Sequence, residues 1–318
     1  MSGAGNDFVV LDGRCVDVSE FRRPERIAEL CREYRTDGLM ILDDGEADFR
    51  MEFFNPDGSG GMMCGNGGRC IVAFADWLGI TPSAPDRYTF LAPDGLHSAD
   101  ILARPSNGWT TALVGTPLAS LAPAPPICDG PLPLLEKRGP RKAPAFWGAL
   151  SGGGHVLQGL CPAVWTVKLK MIDVEGVSEM LGGYFLNTGT RHFVKFVEDV
   201  DAIDIEKEGK ELRWNETFAP EGTNVNFVQI CGDHLKVRTF EKGVEGETLA
   251  CGTGITASAI AAMKHGAKPA NMEVGTLHYT ILARRGDILQ VDFQPAGPDI
   301  FRNIHLTGPA EFCKTSEK

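Results

Sequence analysis

The chain has 318 residues, 43% hydrophobic and 23% charged, with a net charge of −11. That length buries a full core and suits two domains. The negative charge argues against nucleic acid and anionic membrane as partners, since both need basic patches. No apolar run approaches the length of a membrane span, and the first residues carry neither a basic nor an apolar leader. Nine cysteines, an odd number scattered through a chain too long to need stapling, read as free thiols of a reducing cytoplasm.

In chain order, residues 8–11 read as a short buried strand and 24–34 as a helix with Ile27, Leu30 and Cys31 on one face. Residues 39–42 and 49–54 read as strands, 70–78 as a helix, and 88–91 with 97–103 as a hairpin around Pro93-Asp94-Gly95. The stretch 110–162 holds nine of the 20 prolines and the run Gly152-Gly153-Gly154. It has no sustained period and reads as an insertion or linker. Residues 164–172, 192–197, 225–230 and 235–240 then read as strands, 255–265 as a second long apolar helix, and 279–283, 288–293 and 304–306 as strands. No Gly-X-Gly-X-X-Gly follows a first strand, so a Rossmann series is not expected.

One phrase occurs twice: Cys64-Gly65-Asn66-Gly67 and Cys251-Gly252-Thr253-Gly254. Each precedes a helix, and each helix closes on a glycine 15 residues after its cysteine, Gly79 and Gly266. A helix N-terminus offers free N–H groups and a positive dipole end, which suit a carboxylate and a neighbouring thiolate. Two facing cysteines admit three chemistries. A metal site is disfavoured because Cys64 to Cys70 is too wide for zinc spacing and only His265 lies near Cys251. A redox dithiol normally uses Cys-X-X-Cys, absent here. Proton exchange at a carbon fits best: one sulfur removes a proton from one face and the other delivers one from the opposite face. The carbanion would be stabilised by preorganised N–H donors in a dry pocket, and no site for pyridoxal phosphate or another cofactor is evident.

The motifs Gly3-Ala4-Gly5-Asn6-Asp7-Phe8, Phe54-Asn55-Pro56-Asp57-Gly58-Ser59, Met63-Cys64-Gly65-Asn66-Gly67-Gly68-Arg69-Cys70, Gly222-Thr223-Asn224-Val225-Asn226-Phe227 and the run from Glu241 to Gly254 resemble the diaminopimelate epimerase family. The resemblance covers residues 3 to about 105 and 164–312. It implies an α+β fold of two pseudo-symmetric domains, each a curled mixed sheet around a central helix, with the active site in the cleft. The expected units are 1–108 with about 303–318, an insertion at 109–163, and 164–302. It further implies a cytoplasmic, cofactor-independent homodimer converting LL- to meso-diaminopimelate. Cys64 and Cys251 become the acid/base pair, with His192 assisting Cys64 and Glu241 assisting Cys251. Asn6, Asn55, Asn66, Thr190, Asn224 and Lys242 become substrate contacts, and the amides of Gly65, Asn66, Gly252 and Thr253 hold the reacting carboxylate.

Some positions depart from the family pattern. Gly189-Thr190-Arg191-His192 stands where Gly-Asn-Pro-His is common, and Lys242 where arginine is. Gly38 stands where glutamine is. Lysine lacks arginine's fork for a carboxylate. The strand expected before Gly3 looks truncated, which would expose a sheet edge. A racemase of another amino acid, such as proline or histidine, and an inactive binding homologue are the alternative expectations.

Overall fold

The structure, a computed structural model, describes residues 1–14, 17–61, 64–105 and 163–313. The Pro-rich stretch 110–162 lies outside them. In the first half the elements are β1 (Ser2–Gly3), β2 (Asn6–Asp12), α1 (Pro24–Tyr34), β3 (Gly38–Asp43), β4 (Phe49–Phe54), α2 (Gly65–Trp77), β5 (Arg87–Ala92), β6 (Gly95–Ala103) and β7 (Val164–Lys170). The second half holds β8 (Val174–Glu175), β9 (Val177–Met180), β10 (Gly183–Asn187), β11 (Arg191–Phe196), α3 (Ile205–Arg213), β12 (Asn224–Cys231), β13 (His234–Glu241), β14 (Gly246–Thr248), α4 (Gly252–Lys264), β15 (Asn271–Glu273), β16 (Thr276–Leu282), β17 (Ile288–Gly297) and β18 (Ile300–Glu311).

Parallel neighbours need a crossover, and a helix usually supplies it. The chain does this twice in each half, in the same order. Strands β2 and β3 are parallel across α1, and β4 and β5 across α2. Strands β11 and β12 are parallel across α3, and β13 and β16 across α4. The intervening pairs β3–β4 and β12–β13 are antiparallel. This repetition is the pseudo-symmetry. In the first half the pairings run from β1 through β7 to β18 and back to β1, closing a ring around α2. In the second, the sheet runs from β18 through β17, β16, β13, β12, β11 and β10 to β9, and β8 pairs back to β18. Strand β18 thus serves both rings: residues 300–307 pair with β17, and 308–311 with β7.

Enclosure explains the two long helices. Residues 65–75 of α2 are all buried, as are Gly252 and residues 254–262 of α4. A helix covered on all sides is apolar all round. The alanines and Ser258 of α4 keep it slim enough to fit. Both helices begin directly after their cysteine rather than at 70 and 255, so the Cys-Gly-X-Gly glycines form the first helical turn instead of a preceding loop. No helix among the described residues is long and apolar enough to cross a membrane.

The first strand, expected to be truncated, consists of two residues. Ser2 pairs with Asp7 and with Glu311, and the Met1 ammonium donates to the Phe8 carbonyl at 2.7 Å. Helix α3 was not expected. Its sequence is charge-rich with Gly209 at its centre, and the reason is contact: a Cβ on Gly209 would lie 2.7 Å from Phe240 Cγ. Gly222 is equally constrained, with φ +67° and a virtual Cβ 2.7 Å from the Arg213 carbonyl oxygen. Gly222→Ala is therefore expected to cost about 2–4 kcal/mol from backbone strain and collision, read as a lower urea midpoint; an unchanged midpoint would refute the packing described.

Candidate active site

The two cysteines are the N-caps of α2 and α4, both in extended backbone conformation. Each helix therefore starts with its free N–H groups beside a sulfur. The two starts touch. A Cβ on Gly252 would lie 3.1 Å from Gly65 Cα, and one on Gly65 would lie 3.4 Å from Gly252 Cα. Only glycine at both positions permits this approach. The result is a single point where two positive dipole ends converge, a natural seat for a carboxylate. Both cysteines are free; Cys251 is 8% exposed and Cys64 half-buried.

The sulfurs are held differently. Cys64 Sγ accepts from the Gly67 N–H at 3.1 Å. Cys251 Sγ lies 3.4 Å from the Thr253 hydroxyl. Burial pushes the Cys64 thiol up to about 11, the Gly67 N–H opposes this, and the Glu241 charge adds to it. Burial and then Glu241 likewise push the Cys251 thiol up. Glu241 is thus coupled to both sulfurs. Its own carboxyl is raised by burial and by the charge of Asp37. Asp37, raised by burial and steadied by the Asp7 N–H at 2.8 Å, was not singled out from sequence. Two buried carboxyls, one of which raises the other, leave a place for an ammonium group.

His192 is fully buried and pulled down to about 3 by burial, so it is neutral at pH 7. Its Nδ1 faces the Asn226 amide nitrogen at 3.0 Å, while the Thr239 hydroxyl donates to Asn226 Oδ1. That network assigns Nδ1 as acceptor and places the ring proton on Nε2. Nε2 lies 2.9 Å from the hydroxyls of both Thr190 and Thr253. The sequence reading paired His192 with Cys64; its hydrogen bonds lead instead through Thr253 to Cys251, because β11 and the first turn of α4 belong to the same ring.

The low value of His192 has a consequence for stability. The unfolded histidine takes up a proton near 6.5, the folded one only near 3. Stability is therefore present above pH 6.5 and falls as pH drops, by up to about 1.4 kcal/mol per pH unit. His192→Gln should flatten the part of the acid slope between pH 6.5 and 5 in urea titrations. A slope identical to wild type would show that this histidine is not buried neutral.

The remaining residues fall into three groups. Asn66 Nδ2 donates to Asn6 Oδ1 and, at 3.1 Å, to the Ala250 carbonyl, while its Oδ1 accepts from Arg69 at 2.9 Å. It thus ties α2 to the segment before Cys251. Asn224 donates to the Arg191 carbonyl at 2.9 Å and to Thr190 at 3.3 Å, and accepts from the Lys242 N–H at 2.8 Å. The Lys242 side chain is exposed. Asn55 is tied to its own turn, donating to Ser59 Oγ at 3.0 Å. A cavity of about 40 Å³ bordered by Gly65, Thr190 and Thr253 adjoins the helix starts.

The model of the family described as diaminopimelate epimerase matches residues 1–101 and 184–284. The chain belongs to the diaminopimelate epimerase family. It is accordingly an isomerase. The diaminopimelate epimerase of Aquifex aeolicus is 35% identical over 324 residues, spanning 97% of this chain and 92% of that protein. Among solved structures, a phenazine biosynthesis protein of the PhzF family from Bacillus anthracis is 12% identical with a TM-score of 0.62, covering 98% of this chain and 93% of that one. A probable proline racemase from Agrobacterium radiobacter is 14% identical with a TM-score of 0.51, covering 94% and 81%. These two show a shared fold.

Proposed function

We propose that this epimerase inverts one α-carbon of LL-diaminopimelate to give the meso form, by proton exchange between Cys64 and Cys251 and without a cofactor. The observation that carries this reading is the contact of Gly65 with Gly252, which brings two cysteine-capped helix starts together.

The chemistry follows from the environment. An α-proton is very weakly acidic, so its base must be strong. A thiol raised by burial gives a strongly basic thiolate once its proton has gone. Glu241, coupled to both sulfurs and itself raised, is the group suited to relay that proton. As the carbanion forms, charge flows into the α-carboxylate, which sits against the amides of Gly65, Asn66, Gly252 and Thr253. These donors are fixed before the reaction and need no reorganisation. The opposite thiol then delivers its proton to the other face. Thr253, between His192 and Cys251, holds the second sulfur in place. Glu241 and Asp37 would meet ammonium groups of the substrate.

A proline racemase reading has the shared fold behind it, but the asparagines and the two carboxyls suit a substrate with a second amino-acid end. The test is α-deuterium incorporation from deuterated water over a panel of amino acids. Exchange with LL-diaminopimelate well above proline and histidine supports the proposal; exchange with proline alone, or with none, rejects it.

A further inference from the structure

Asn226 on β12 is fully buried, and so is Thr239 beside it on β13. Neighbours fix the orientation of the Asn226 amide. The Phe193 carbonyl lies 3.3 Å from Nδ2 and can only accept, so the NH2 group faces that side. The Thr239 hydroxyl donates to Oδ1 at 3.0 Å. The start of α4 closes over the group: a Cβ on Gly254 would collide with Asn226 Oδ1 and lie 3.2 Å from His192 Cε1. The same NH2 group donates to His192 Nδ1 at 3.0 Å, which leaves the ring proton on Nε2.

From Nε2 outward the donors can be counted. Nε2 and the hydroxyls of Thr190 and Thr253 form a triangle with sides of 2.9, 2.9 and 3.1 Å. Nε2 only donates. Thr190 accepts from Asn224 Nδ2 at 3.3 Å, and that amide is itself fixed by the Arg191 carbonyl and the Lys242 N–H. Within this group the Thr190 proton has one acceptor, the Thr253 oxygen. Thr253 thus receives from Thr190 and His192, and its own proton goes to its remaining neighbour, the Cys251 sulfur at 3.4 Å. With the ring proton on Nδ1 the count changes. Nε2 would be a bare acceptor between two hydroxyls and would draw the Thr253 proton away from sulfur. At Cys64 the donor is the backbone N–H of Gly67, which has no second orientation.

We propose that Asn226 is a positioning residue for the reaction: by holding the His192 proton on Nε2, it directs the Thr253 hydroxyl onto the Cys251 sulfur. The donor is then in place before Cys251 loses its proton, and the thiolate meets a hydrogen bond that needs no turning. The thiol's own proton, kept off that line, stays available for transfer. This rests on the two-cysteine reading above.

The tautomer is read from imidazole nitrogen NMR at neutral pH, with the His192 signals assigned by their loss in His192→Gln. Wild type is expected to show a protonated Nε2 and a bare Nδ1. Asn226→Asp, close in shape, replaces the donor by an acceptor and is expected to place a proton on Nδ1. Asn226→Leu removes the amide and is expected to lower kcat on LL-diaminopimelate about tenfold, the scale of one hydrogen bond to a charged group, with KM within about threefold. Thr253→Val removes the hydroxyl and should cost a similar factor. Combining Asn226→Leu with Thr253→Val should be no worse than Thr253→Val alone, because both break one chain. Multiplied losses in that combination, or an unchanged kcat in Asn226→Leu, overturn the proposal. So does a bare Nδ1 in Asn226→Asp, or a proton on Nδ1 in wild type, which decides even where no variant folds. The NMR needs no substrate, so its failure is separable from a failure of deuterium exchange with diaminopimelate.

Discussion

Cys251→Ala is expected to reduce epimerisation of diaminopimelate by about 10³-fold, and Cys64→Ala by a similar factor, within the range of about 10²–10⁴ for loss of a positioned acid/base. The reason is specific to two-sided exchange. Either cysteine alone can remove or return a proton on its own face, but inversion needs both. Each alanine removes a sulfur at a helix start without filling space, and the helices are enclosed by sheet on all sides. The fold should survive, so the thermal midpoint should move little while turnover collapses. Serine at either position should be nearly as inactive, since a hydroxyl is a far poorer base at neutral pH. Full activity in either alanine variant would remove the two-cysteine reading.

The second large effect concerns the contact between the two helix starts. Gly252→Ala is expected to lower kcat about 10²-fold, the scale of a misplacement near 1 Å at reacting groups. The new Cβ would lie 3.1 Å from Gly65 Cα and 3.1 Å from Leu306 Cδ2. One is backbone and the other a fully buried core side chain, so neither yields easily. The helix starts must move apart, and with them the amides that hold the carboxylate. Gly60→Ala is the matched control, since nothing lies within 4 Å of its virtual Cβ. Steady-state kinetics on both variants decides the point: equal kcat in Gly252→Ala and wild type would mean that the approach of the helices has no part in the chemistry.

Much of this site was legible because the residues that carry it are local. Cys64 and Cys251 each stand at the start of an apolar run, and a repeated phrase at matched spacing is visible without any fold. The strands flanking α2 and α4 were readable for the same reason. What the chain does over long range was not. From its local pattern strand β18 read as three residues, 304–306, and only the resemblance joined about 303–318 to the first unit; the strand spans twelve, and its last four pair with β7 of the first ring. Helix α3 carries too few apolar residues to show a period; Phe240, distant in sequence, explains its glycine. Asp37 was invisible as a site residue for a related reason. An aspartate beside a glycine carries no local mark of a site. Only burial makes it a partner of Glu241. The route from His192 through Thr253 to Cys251 likewise depends on which ring encloses which helix.

The claim that two opposed thiols act on one carbon is tested most directly by following LL-diaminopimelate in deuterated water at low conversion. With a separate acid and base, the inverted product should carry one deuterium at the inverted carbon from the first turnover, while recovered LL substrate carries essentially none. Product that retains its original hydrogen, or substrate that gains deuterium as fast as product forms, would contradict the account and point to a single group working on both faces.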